Sequence, residues 1–72
     1  MTLIADIFDP ENMRIGGIFK IGERYRIEWT GEDPDLPIKS HIISRILYNS
    51  LELAEKEVYR LNIVNRVTRR GR

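Results

Sequence analysis

The sequence predicts an α+β domain: a β-hairpin at about residues 17–30, then a long amphipathic helix at about 38–66. Three observations carry that expectation. Arg24–Thr30 alternates polar and apolar residues, whereas His41–Asn62 repeats apolar residues every three or four positions. A chain of 72 residues makes one domain, and the absence of cysteine removes disulfides and the usual structural zinc sites.

The N-terminal segment, residues 1–12, reads as a short element. In "TLIADIF" the apolar pairs 3/4 and 7/8 suit one or two helical turns after a Thr2 cap, with an extended arm as the alternative. Pro10 disfavours a helical Asp9, so "DPEN" breaks the chain.

The hairpin follows. Tyr25, Ile27 and Trp29 fall on one face of a half-buried strand, with Arg24, Arg26, Glu28 and Thr30 on the other. Before it, Phe19 and Ile21 alternate with Lys20, and "GE" offers the glycine-first pair of a type II′ turn. Gly31–Pro37, rich in acids and prolines, closes the second strand in a loop. The run "GIFKIGERYRIEW" resembles the opening of the arm-type DNA-binding domains of tyrosine recombinases, where a basic sheet precedes a helix. The resemblance spans Gly17–Trp29, assigns no role to any one residue, and departs from the family where Glu23 and Glu28 interrupt the basic face.

For the C-terminal half, the helical spacing Ile43, Leu47, Leu51, Ala54, Val58, Leu61 runs in steps of 4, 4, 3, 4 and 3. Those side chains span about 80° of a helix, and Ile42, Ile46, Leu53 and Val64 widen the stripe to about 180°. His41, Arg45, Glu52, Glu55, Tyr59 and Asn62 lie opposite. Asp35 suits the cap, Pro37 the first turn, and Glu52–Lys56 an i,i+4 pair. The weak formers Asn49 and Ser50 argue for a kink. They also support an alternative: a small antiparallel sheet with one short helix (ββ-β-α-β), in which Asn49 caps a helix at about 51–61 and "IVNRVTR" is a closing strand.

Function follows from surplus apolar surface. A helix of about 25 residues is about 37 Å long, whereas the hairpin strands reach about 20 Å. Part of the stripe then stays wet, as at an interface. The leading expectation is a non-enzymatic protein–protein module, a small regulatory or accessory protein. It docks through Ile43, Leu47, Leu51, Ala54, Val58 and Leu61, on a second copy or on a larger macromolecular machine. The bland reading makes the same stripe the domain's own core, and the hairpin-facing half fits that.

The alternative is a nucleic-acid-binding module. Residues 1–35 carry four basic and eight acidic side chains, a balance of −4; residues 36–72 carry eight and three, a balance of +5. Arg66, Arg69, Arg70 and Arg72 gather in a basic tail at 66–72, and Arg24 and Arg26 sit on the solvent side of the hairpin. A frayed, solvated terminus accounts for the tail equally well.

Catalysis has little to stand on. His41 is the single histidine, and its neighbour Ser40 would point about 100° away on a helix. "GIFKIGER" lacks the Lys-Ser/Thr of a phosphate-binding loop, and "EDPD" reads as a loop or cap before a cation site. No cofactor, metal or small-molecule substrate is expected. The acidic start lacks the basic region of a secretory signal, and no apolar run nears the 20 or so residues of a membrane span, so the expected setting is cytoplasmic.

Overall fold

The computed structural model describes residues 1–30, 43–61 and 66–71. Within them the chain forms strands β1 (Thr2–Phe8), β2 (Arg14–Ile21) and β3 (Arg24–Trp29), helix α1 (Leu51–Arg60) and strand β4 (Arg66–Arg69). The strands make one antiparallel sheet in the order β3-β2-β1-β4. The long helix at 38–66 is therefore not formed, and the alternative of a small sheet with one short helix fits.

Two local causes start the helix late. Ser50 is extended (φ −146°, ψ 158°), and its hydroxyl accepts a hydrogen bond from the Leu53 amide at 3.1 Å, which caps α1 there. The cap falls one residue beyond Asn49. Just upstream, Tyr48 leaves any helical path to exchange backbone hydrogen bonds with Tyr25, at 2.9 and 2.7 Å. Apolar spacing carries across this break although the backbone does not. Asp35, Pro37 and Val64 of the expected helix lie outside the described residues.

The N-terminal segment is a central strand, and the helical signal there was produced by a β-bulge. Leu3 pairs with Phe19 and Ala5 with Ile18, so Ile4 is the extra residue, and both Ile4 and Ala5 join the core side. "DPEN" is the β1–β2 turn. Asp9 and Met13 close a three-residue loop by backbone bonding, Asp9 Oδ1 accepts from the Glu11 and Met13 amides, and Asn12 adopts φ 66°. The second turn is as expected. Gly22 has φ 60° while Glu23 does not go positive, the combination of a type II′ turn.

Among the described residues, one face of the sheet is covered and the other is not. Ala5, Ile7, Ile15, Ile18 and Ile27 from the strands meet Ile43, Tyr48, Ala54 and Val58 in a single core. Ala54 and Val58, one turn apart, are fully buried, and the small Ala54 lets α1 lie close to the strands. The helix packs on β3 and reaches β4 through Tyr59, whose hydroxyl accepts from the Val67 amide at 2.9 Å. Among the described residues no helix is long and apolar enough to cross a membrane.

Candidate nucleic-acid interface on the open sheet face

The pleat decides which side chains reach the uncovered face. Tyr25, Ile27 and Trp29 turn to the core, so Arg24, Arg26 and Glu28 turn away from it. Register then aligns Thr68, Asp6, Gly17 and Glu28 across all four strands, with Leu3, Phe19 and Arg26 in a second row. A third row holds Arg66, Phe8 and Arg14. Phe8 and Phe19 are half-buried but stand apart from the core cluster.

A second bulge supplies Arg14. Ile7 pairs with Gly16 and Phe8 with Arg14, leaving Ile15 as the extra residue, turned with Gly16 toward the core side. Arg14 thereby comes out on the same side as Gly17, and Gly17 has no side chain to obstruct it. A β-carbon at Gly17 would lie 2.6 Å from Leu3 Cδ1 and 3.0 Å from Arg14 Nη2. Arg14 was missing from the residues marked by the sequence; the paired glycines of "RIGG" inside a strand were the available sign of a bulge.

At the centre stands Asp6, whose side chain keeps 12% exposure beneath two guanidinium groups. Arg14 Nε donates to Oδ1 at 2.7 Å; Arg70 Nε donates to Oδ2 at 2.7 Å, and its Nη2 to Oδ1 at 3.2 Å. The Arg70 bonds hold the carboxyl below the usual carboxylate range; burial opposes this and Arg14 adds to it. Asp6 in turn raises the Arg70 guanidinium further above its ordinary value.

The remaining arginines divide. Arg26 closes an ion pair on Glu28 at 2.7 Å. Arg66 lays its guanidinium over the Phe8 ring, 4.1 Å from the centroid, and also bonds the Asn12 amide oxygen. Neither Arg66 nor Arg24 meets a carboxylate among the described residues. Among the described residues, five arginines thus share this face with the two carboxylates Asp6 and Glu28. The surplus positive charge sits on Arg24, on Arg66 and on the Arg14–Asp6–Arg70 cluster.

Four of the six arginines marked in the sequence therefore converge: Arg24, Arg26, Arg66 and Arg70. Arg69 goes elsewhere. It points to the helix side, with Nε 2.8 Å from Glu55 Oε1 and Nη2 3.2 Å from Glu52 Oε2, and Glu55 then Glu52 raise its pKa. Glu52 thus turns to Arg69 where a pair with Lys56 was expected. Arg72 lies outside the described residues, as do Ser40, His41 and the "EDPD" loop. Most of the segment read as a basic tail is β4.

The six residues expected at a protein interface are placed differently. Ile43, Ala54 and Val58 are in this chain's own core, and Leu51 and Leu61 pack half-buried against it. Leu47 alone among them is exposed, at 42%. Among the described residues no cluster of three carboxylates or histidines gathers to hold a metal ion. Compared with protein-family models, curated proteins and solved structures, the chain matches none, the likeness at Gly17–Trp29 included.

Proposed function

We propose that this domain binds nucleic acid through the open face of its sheet. The observation that supports the reading is the convergence of Arg14, Arg24, Arg26, Arg66 and Arg70 on one face where, among the described residues, only Asp6 and Glu28 offset them. Phosphates are drawn to such a surplus, and guanidinium forks match their oxygens. Bound Asp6 does not cancel its arginines: it uses Nε of both and Nη2 of Arg70, so other N–H groups of each fork are left for a ligand.

Helix docking draws less support, because the stripe that suggested it is largely internal and the excess length of helix is gone. Leu47, with Ile46 and Leu53 also exposed, is what remains of that surface.

The test is fluorescence anisotropy with labelled oligonucleotides between about 50 and 200 mM salt. The expected log–log slope is about −2 to −3, falling by nearly one when Arg24 or Arg66 becomes alanine. Absence of binding at the lowest salt, or a slope near zero, defeats the reading.

A further inference from the structure

Resting on that reading, we infer that the ligand is a single strand whose bases stack on the Phe8–Arg66 pair and on Phe19, with backbone phosphates between them held by Arg14 and Arg70. Three features of the face lead there. First, its rings are out of place for a core: Phe8 and Phe19 are half-buried on the side away from α1 and, among the described residues, belong to neither the core cluster nor the side chains packed on it. Second, the Arg66 guanidinium already sits over the Phe8 ring, so a ring and a planar cation stand together at one point of the face. Bases splayed from a single strand stack on aromatic rings and on such planes alike. A duplex hides its base faces and offers neither.

Third, the spacing suits a strand crossing the sheet. Phe8 lies in the Arg66–Phe8–Arg14 row and Phe19 in the Leu3–Phe19–Arg26 row, with the Asp6–Gly17 row between. About four residues of strand separate the two outer rows, or about 13 Å at 3.3 Å each. Over the gap stand Arg14 and Arg70, both fixed by the same carboxylate. Asp6 acts as a positioning residue: it aims the two forks without meeting the ligand.

The probes are oligomers of about 12 nucleotides: deoxythymidine, uridine, an abasic deoxyribose strand, and a duplex of the same length. The wild-type domain is expected to prefer the base-bearing strands to the abasic strand by about tenfold or more, and to bind the duplex more weakly than either base-bearing strand. Phe8→Leu and Phe19→Leu are each expected to remove about fivefold of that preference while leaving the salt slope unchanged. Arg24→Ala should do the reverse, lowering the slope and sparing the preference. A domain that binds the abasic strand or the duplex as tightly as deoxythymidine overturns the single-strand inference and leaves nucleic-acid binding standing. One that binds no probe overturns both. Equal affinity for the deoxythymidine and uridine strands supports stacking and phosphate contact alone; a preference for uridine adds a contact to the 2′-hydroxyl and supports the inference equally.

Discussion

Arg69 and Arg70 are neighbours in the chain and leave the end of β4 in opposite directions. Arg69 turns to the helix, where Glu55 and Glu52 take it up. Arg70 turns to the open face and shares Asp6 with Arg14. On the helix face, charge is matched around an apolar centre. On the open face, charge is left over and the aromatic rings are off the core. The first arrangement holds a small domain together; the second leaves an arginine excess that the carboxylates among the described residues do not match, and an excess of that kind is what a polyanion would use.

The contrast is sharpest along β2, where successive residues belong to different faces. Ile18 is fully buried against the helix layer, and Phe19 is half-buried on the open side. Ile18→Ala should lower stability by about 4 kcal/mol, Phe19→Ala by about 1 kcal/mol, in urea titrations followed by circular dichroism. Equal losses would mean that both faces are core, and the functional division would fail.

Two adjacent glycines give the next comparison. A methyl at Gly16 would lie 2.6 Å from the Glu28 carbonyl oxygen and 3.0 Å from Trp29 Cε3, so backbone must shift. At Gly17 the nearest obstacle is the movable end of Leu3, although the Ala5 carbonyl oxygen at 3.1 Å is also close. Gly16→Ala is expected to cost about 3 kcal/mol and Gly17→Ala about 1 kcal/mol. The latter should also displace Arg14 and weaken the nucleic-acid binding proposed for this face.

These bulges explain what the sequence could and could not disclose. Strict alternation at Arg24–Trp29 made β3 legible, and the "GE" pair made its turn legible. In β1, the extra residue Ile4 imitates helical spacing, because two consecutive side chains enter the core there. In β2, the extra Ile15 reverses the face on which Arg14 is expected. At the C-terminal end, the steps of three and four run from Ile43 to Leu61 because loop and helix line the same core, which all of the stripe but the exposed Leu47 joins or packs against. Periodicity reports which residues are buried; it does not report whether one backbone helix carries them. A hydroxyl cap at Ser50 and a backbone bridge at Tyr48 decide that, and both depend on partners distant from the apolar pattern. The arginines of the open face were legible one by one, but their convergence needed the register.

Asp6 sharpens the comparison through pH. Its folded pKa lies below the ordinary value of 3.8, so its contribution is complete above that value and is lost as pH falls through the folded pKa. Asp6→Asn should lower stability near neutrality by about 1 kcal/mol, a modest figure because both guanidiniums face solvent. It should also flatten the stability–pH curve below the ordinary carboxylate value of 3.8. An unchanged acid limb would show that the cluster is a surface ornament without hold on its arginines.

The smallest effect belongs to Tyr48. Its hydroxyl is buried without a hydrogen-bond partner among the described residues, and burial raises its pKa. Tyr48→Phe should therefore be neutral or stabilising by up to about 1 kcal/mol, read as a small rise in melting temperature. A clear loss of stability would reveal a partner for that oxygen and a more polar helix face than described.

The division between the faces can be read residue by residue from amide chemical shifts as a deoxythymidine strand is titrated into the labelled protein. The account predicts shifts at Asp6, Phe8, Gly17, Phe19, Arg26 and Thr68, with Leu51–Arg60 unmoved. Shifts centred on the helix, with the open face silent, would contradict it.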